Sequence, residues 1–424
     1  MTPALLRKVV HAGVTGSSFK SGARDLKVLA EADISSQRVR RAVEQIGNQR
    51  AKQTSDAKAV YDAMHLPARQ QCPAGVTPPQ VACVQMDGGR IQIRQRILQV
   101  NEAPAKSMNE HAESESSSEP QGYWRESKVG CLLSMSSQES EHDPTPVLPA
   151  VFTDKVRMKE MCSEIKGFSA PDSPAQDNVG SQTAQPTAAE DEASHQPKVV
   201  SRSIVASKSN SHEFGLQLAA AAYREGFNAA LRKSFVCDGQ SANWKVWERW
   251  FSHYTPIVDF VHAVCYVYAA AMAGRSSTDG WLLYRTWAQW LWQGDVQLII
   301  AALVIEQERI GKPAPDESTT SAKYTIGRAL TYLRNQRERM NYPDYRRRGL
   351  PITSSHIEST IKQVNKRVKG TEKFWDRATE AILHLTADYI GSQTEIEKFW
   401  AERPQKIASI RVRHPNQQPL AKAA

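Results

Sequence analysis

No Cys-x-x-Cys pair occurs among the six cysteines, which stand alone at 72, 83, 131, 162, 237 and 265. That argues against a zinc ribbon and a disulfide framework and suits a reducing cytosol. Long apolar runs are missing too. The longest, Phe260 to Ala273, is too short to cross a bilayer and holds His262. The opening stretch, Met1-Thr-Pro-Ala-Leu-Leu-Arg-Lys-Val-Val10, lacks the apolar core of a signal peptide. The expectation is a soluble, cytoplasmic protein with no membrane partner. Acid is scarce relative to base, with 45 Asp and Glu against 54 Lys and Arg and a formal net charge of +9. Such a balance favours a polyanionic partner. A chain of 424 residues is long enough for two or three domains and for one sizeable core.

Patterning along the chain supplies the rest. Residues 23–32 and 36–46 predict two helices broken at Asp33-Ile-Ser, the second ended by Gly47 and exposing Arg38, Arg40 and Arg41 near its start. A short helical hairpin of this kind is either ordinary packing or a helix-turn-helix, whose second helix would enter the major groove. The β-rich run Gln80–Met86, then Asp87-Gly-Gly, then the alternating Arg90–Leu98 predicts two strands around an Asp-Gly turn. Asp87 is then either a turn residue or a carboxylate delivered at the end of a buried strand. Residues 101–121, rich in Ser, Glu and Pro, predict a mobile loop, and Tyr123 to Met135 resumes a strand. A Pro-, Ser- and Asp-rich stretch over 169–212 predicts a disordered linker. Beyond it come a helix from Phe214, a short apolar strand Lys233–Cys237 ending in Asp238-Gly239, and a helix bearing Trp244, Trp247 and Trp250. Residues 263–345 predict a helix-rich region whose aromatics pack its core.

The stretch from Arg346 to Trp375 is the most informative. Gly349-Leu-Pro stops a helix, Thr353, Ser354 and Ser355 can each cap the next, and Ile357, Ile361 and Val364 recur at helical spacing. Glu358 opens that helix, with Lys362 and Lys366 behind it. The pair is either an ordinary surface Glu–Lys contact or an acid that holds a cation beside a nucleic-acid backbone. Asp87 and Asp238 each follow an apolar strand and precede glycine. Strand tips converge in open sheets, so these acids and Glu358 could meet in one crevice. Three carboxylates there would bind two divalent cations, Mg2+ (or Mn2+), for in-line displacement at phosphorus.

Five segments carry a family resemblance: Gln85-Met-Asp87-Gly-Gly-Arg-Ile-Gln-Ile-Arg94, Trp124-Arg-Glu-Ser-Lys-Val-Gly130, Cys237-Asp238-Gly, Ile257-Val-Asp259-Phe-Val-His262-Ala and Gly349-Leu-Pro-Ile-Thr-Ser-Ser-His-Ile-Glu358-Ser. Together, from about residue 25 to residue 400, they resemble bacterial DDE transposases of the ISKra-type insertion-sequence family, with Mutator-like relatives. The resemblance implies an α/β fold: a ribonuclease H-like mixed sheet flanked by helices, interrupted by an all-helical insertion; the helix pair at residues 24–52 adds an N-terminal helix-turn-helix-like segment. It implies Asp87, Asp238 and Glu358 as catalytic acids and metal ligands. Asp259 and His262 match a secondary D-x-x-H motif, read as a structural or DNA-positioning element, with Asp259 as second metal ligand the lesser option. Arg346, Arg347, Arg348, Lys362, Lys366, Arg367 and Lys369 would approach DNA alongside Arg38, Arg40 and Arg41.

The implied organisation is a DNA-binding segment (1–75), a first catalytic part (76–168), the linker (169–212), a second catalytic part (213–262), the insertion (263–345), closing helices (346–403) and a basic tail (404–424). The activity implied is Mg2+-dependent cutting of transposon ends and transfer of the 3′ hydroxyl to target DNA, by a homo-oligomer on DNA. Two alternatives are a decayed or co-opted DNA-binding protein and a ribonuclease H-like nuclease without strand transfer.

Overall fold

The computed structural model describes residues 1–94, 123–164, 197–368, 374–392 and 394–403. The chain opens with α1 (Pro3–Thr15), α2 (Phe19–Ala30), α3 (Ser36–Ala63) and the single turn α4 (Leu66–Arg69). Then follow β1 (Val81–Arg94), β2 (Tyr123–Ser136), α5 (Lys155–Glu164), β3 (Lys198–Ser207), α6 (Ser211–Arg224), β4 (Arg232–Cys237), α7 (Ser241–Trp250) and β5 (Thr255–Val258). Helices α8 (Phe260–Met272), α9 (Ser277–Trp292), α10 (Val296–Ile310), α11 (Ala322–Gln336) and α12 (Tyr342–Arg347) come next. The described chain closes with α13 (Ser355–Val368), β6 (Phe374–Trp375), α14 (Asp376–Ile390) and α15 (Thr394–Glu402).

The fold is α/β, a mixed sheet flanked by helices. Its order is β3-β2-β1-β4-β5, with β6 pairing β1 off that path. Strand β2 runs antiparallel to both β1 and β3, whereas β4 runs parallel to β1 and β5 parallel to β4. Every residue from Val81 to Met86 is buried, as a central strand covered on both faces requires. Side chains alternate along a strand, so Gln85, Asp87 and Gly89 share one face and Met86 takes the other. On the Met86 side, Gly130 of β2 faces α6, where an added Cβ would fall 2.5 Å from Leu218. On the Gln85 side lies α13: Gln85 Oε1 accepts from the Ile357 amide at 3.1 Å, and Asn365 lies beside Gly89.

Three sequence expectations need correction here. Asp87-Gly-Gly makes no hairpin turn and no strand end. The ladder to β2 continues unbroken through Asp87↔Val129 and Gly89↔Ser127 to Ile93↔Tyr123, so all three residues have antiparallel partners. The glycine at 89 serves close approach instead, since a Cβ there would sit 3.2 Å from Ser127 Oγ. Secondly, the linker expected over 169–212 ends sooner: Lys198–Ser207 is strand β3, held by nine pairs to β2, and α6 starts at Ser211. Thirdly, Gly47 does not end a helix. Helix α3 runs for 28 residues through it, because α14 packs so closely there that a Cβ on Gly47 would lie 2.5 Å from the Ala381 carbonyl oxygen. Residues 101–121, most of the linker, Lys369 and the 404–424 tail lie outside the described residues.

The first three helices are packed onto the rest of the described chain. Arg50 of α3 makes a bidentate pair with Asp388 of α14 at 2.8 and 2.9 Å, and Arg367 of α13 donates to the Gly13 carbonyl of α1 at 3.1 Å. The α3–α14 contact gives a prediction with a definite sign. Ala exceeds Gly in helix propensity by about 1 kcal/mol, but overpacking a tight contact costs about 1–3 kcal/mol. With a backbone oxygen as the obstacle, the clash wins. Gly47→Ala is expected to lower the unfolding free energy in urea titrations, and a stabilised variant would refute the packing argument.

Candidate active site

Register alone brings the first acids together. The β1–β4 ladder ends at Gln85↔Val236, so Asp87 and Asp238 each stand two residues beyond the last pair on adjacent parallel strands. The β4–β5 ladder ends at Cys237↔Val258, and the Asp259 amide donates to the Cys237 carbonyl at 2.9 Å. Asp87, Asp238 and Asp259 therefore occupy neighbouring positions just past the point where the β1–β4 and β4–β5 ladders stop. Strands are spaced about 4.8 Å apart, so like charges here are within strong Coulombic reach.

Helix α13 brings the fourth acid over these positions. Gln85, fully buried on β1, donates to the Thr353 carbonyl at 3.0 Å and accepts from the Ile357 amide at 3.1 Å. It thus fixes both the entering loop and the first turn of the helix. The Phe260 amide donates to the Ile352 carbonyl at 2.9 Å, tying the same loop to α8. Glu358 then lies in the first turn of α13, where a helix N-terminus favours negative charge.

Among the described residues, the His/Cys/Asp/Glu group close enough to hold a metal ion is Asp259, His262 and Glu358, whose ligand atoms lie within 4.8 Å of one another; of the three acids expected as ligands it includes Glu358 but neither Asp87 nor Asp238. Together they could hold a metal ion. Asp259, with no exposed surface, caps α8: its Oδ1 accepts from the Val261 amide at 2.8 Å, and its Oδ2 takes the His262 Nδ1 contact at 3.0 Å and the Ser354 hydroxyl. His262 Nδ1 also lies 3.9 Å from Glu358 Oε1. Asp238 Oδ1 is engaged by the Gln240 amide and Asn243 Nδ2, both at 3.0 Å, and Asp87 Oδ1 by the Gly88 amide at 2.6 Å.

Charge at the site follows from these contacts. Burial pushes the Glu358 carboxyl up, and the Asp259 charge adds to it; His262 and Lys362 oppose, Asp87 raises it further, and the result is about 6. Burial alone would lower His262, but its bond to Asp259 and the charges of Asp259, Asp238 and Glu358 outweigh that and push it to about 9. Asp259 feels the largest upward push from burial, yet the His262 and Ser354 bonds hold it below the ordinary carboxylate range. All four acids therefore register in the field around His262 and Glu358.

Both raised groups act on stability in the same direction. Glu358, at about 6 against an ordinary 4.5, contributes stability that is present below 4.5 and lost as pH rises through 6. His262, at about 9 against 6.5, contributes stability that is present below 6.5 and lost as pH climbs through 9. Urea midpoints measured in EDTA are expected to fall between pH 6.5 and 9, with that fall reduced in His262→Gln. An undiminished fall in the variant would show that His262 is not its source.

The basic residues divide sharply. Lys362 and Lys366 are exposed on α13. Arg367 is not: only 4% exposed, its guanidinium lies 4.6 Å from the Phe19 ring centre as well as on Gly13. Arg346 is likewise internal, 8% exposed, paired with Asp143 at 2.9 Å and 3.9 Å from the Trp292 ring centre. Neither can reach a DNA backbone, which corrects the expectation for both. Arg347 is exposed and donates to Asp344 at 2.6 Å, while Arg348 is half-buried and donates to Thr255 Oγ1 at 3.1 Å. On α3, Arg38 and Arg41 are exposed and Arg40 pairs with Glu44 at 2.7 Å.

No protein-family model and no curated protein matches the chain. Sequence reading missed Gln85 and Ser354. Gln85 had left a signal, a polar residue between buried Val84 and Met86 in an apolar run. Ser354 had only been one of three capping candidates, and its bond to Asp259 spans 95 positions. No helix among the described residues is long and apolar enough to cross a membrane.

Proposed function

We propose that the chain is a metal-dependent DNA transposase of the DDE type, with a ribonuclease H-like catalytic sheet. The observation that supports this reading is that strand register puts Asp87, Asp238 and Asp259 at neighbouring positions, with Glu358 of α13 grouped beside Asp259 and His262. The donor set fits a hard divalent cation such as Mg2+, because its oxygens come from carboxylates and the Glu358 carboxyl is destabilised as an anion until a cation joins it. Asp87, Asp238 and Glu358 would hold the ions. Bound there, two divalent ions would activate the attacking oxygen and stabilise the leaving one at phosphorus.

The remaining residues act as supports. Asp259 spends both oxygens on protein donors, which suits a positioning residue that orients His262 and the Ser354 loop beside Glu358. Gln85 fixes the start of α13 so that Glu358 stays beside Asp259 and His262. Lys362 and Lys366, exposed on the same helix, would neutralise DNA phosphates. One observation favours a second ligand set. The tight Asp259–His262–Glu358 group includes an imidazole nitrogen, so with Asp259 as second ligand it would suit Mn2+ or Zn2+ better than Mg2+.

The test is an end-joining assay. Full-length protein is incubated with labelled DNA from either side of its own coding region, target plasmid and Mg2+. Covalent joining of a labelled 3′ end to plasmid is the expected product. Cleavage without joining would make the chain a nuclease instead, and binding without either would make it a DNA-binding protein.

A further inference from the structure

Two of the six cysteines meet in the interior. Cys162 of α5 and Cys265 of α8, more than a hundred positions apart in the chain, are hydrogen-bonded through their thiols. Both are buried, at 4% and 0% exposure, under the face that α5 lays on α8. The other four sulfurs keep different company. Cys83 bonds to Ser234 and Gln85, Cys131 to Thr360, Cys72 to the Val76 carbonyl and Cys237 to the Gly239 backbone.

The pair is framed by fixed and loose parts of the same segment. Just before α5, the Phe152 ring stands edge-on to Phe260 of α8 with centres 5.0 Å apart. The Tyr284 hydroxyl of α9 donates to the Phe152 carbonyl at 2.8 Å, and Lys155 Nζ donates to the Ser277 hydroxyl at 2.6 Å. The start of α5 is thus pinned to α8 and α9, which holds Cys162 close to Cys265. Beyond that point α5 is lightly held. Of its ten residues only Met158 and Cys162 are buried, while Arg157, Lys159, Glu160 and Ser163 face solvent. A short helix with so little buried surface opens locally at small cost, and opening admits a small oxidant.

We propose that Cys162 and Cys265 are a redox site: a dithiol that hydrogen peroxide converts to a reversible disulfide linking α5 to α8. The Cys162 sulfur, the less deeply buried, attacks one peroxide oxygen; the O–O bond breaks, and the hydroxide that leaves takes the Cys162 proton to become water. The Cys265 sulfur then attacks the sulfur of that sulfenic acid. The S–S bond forms, the S–O bond breaks, and a second water leaves with the Cys265 proton. Two thiols lose two electrons and two protons, and peroxide becomes two waters. The order suits the thiols, because the Cys162 contact and burial both push Cys265 up, so it keeps its proton until the second step. In a reducing compartment the pair stays dithiol until peroxide rises. The site goes beyond the metal-site reading and does not depend on it: α8 carries Asp259 at its cap and His262 in its first turn, but neither takes part.

Full-length protein is treated with hydrogen peroxide in native buffer, quenched with catalase, unfolded in urea with N-ethylmaleimide and mapped by mass spectrometry without reductant. Alkylated thiols are expected to fall from six to four, with one cross-linked peptide joining Cys162 to Cys265, and dithiothreitol is expected to restore all six. Cys162→Ala and Cys265→Ala should each abolish the link, and Cys72→Ala should leave it intact. The map of the unaltered protein decides even where a buried variant fails to fold. The oxidised chain should also show a higher urea midpoint than the reduced one, because the link closes a long loop. Six free thiols after peroxide treatment would overturn the proposal, as would a link between other cysteines or one that forms only when peroxide is added in urea. So would Cys162 oxidised to sulfinic acid beside an unchanged Cys265 thiol, or a lower midpoint on oxidation.

Discussion

Glu358→Gln is expected to reduce Mg2+-dependent end cleavage by about a thousandfold or more while leaving the protein as stable as before, or more so. The two effects have one cause. Burial and the charges of Asp259 and Asp87 raise the Glu358 carboxyl to about 6, so in metal-free protein its anion is a strained presence. Gln keeps the shape, removes the repulsion and removes the donor. The side chain is 37% exposed, so little packing depends on it. Asp259→Asn makes the contrasting case. It breaks the pair between a fully buried Asp259 and a half-buried His262, and losing one member of a buried pair costs about 3–5 kcal/mol. Melting curves and cleavage gels on both variants separate the roles. Should Glu358→Gln cleave normally, the acid at the start of α13 is no metal ligand and the proposed site is wrong.

Arg346→Ala should unfold far more easily than the parent, by about 3–5 kcal/mol, and yet leave the salt dependence of DNA binding unchanged. Arg346 donates to Asp143 through Nε at 2.9 Å and to the Trp292 carbonyl at 2.9 Å, and it lies over the Trp292 ring. Truncation strands the Asp143 carboxylate. Burial pushes that carboxyl up, but the Arg346 bond and the Thr145 amide hold it below its ordinary range. Lys362→Ala with Lys366→Ala should do the reverse: little change in urea midpoint, and a shallower slope of log affinity against log salt by about two. If the Arg346 variant instead lost salt dependence at native stability, its burial would be contradicted.

These contrasts mark where the sequence was legible. Periodicity placed β2, β4, α7 and α13 closely, because alternation and helical spacing are local properties. Turn chemistry misled at Asp87-Gly-Gly: the sequence carries a hairpin signal, but a partner strand more than thirty positions away supplies the ladder that keeps the chain extended. Gly47 misled in the same way. It looks like a helix stop and is a contact point for Ala381, which lies more than three hundred positions on.

What the sequence determined by itself was the set of acids and the kind of element that carries each: Asp87 on an apolar run, Asp238 and Asp259 just past short ones, and Glu358 in a capped first turn. Tertiary structure alone decided how they are placed relative to one another. The strand register sets Asp87 beside Asp238, the Gln85 bonds hold α13 over them, and Ser354 and His262 converge on Asp259. It decided equally that Arg346 and Arg367 turn inward while Lys362 and Lys366 remain outside. The reason is physical: hydrophobic spacing fixes an element's buried face, but the partner that covers it, and any charge trapped between them, comes from distant chain.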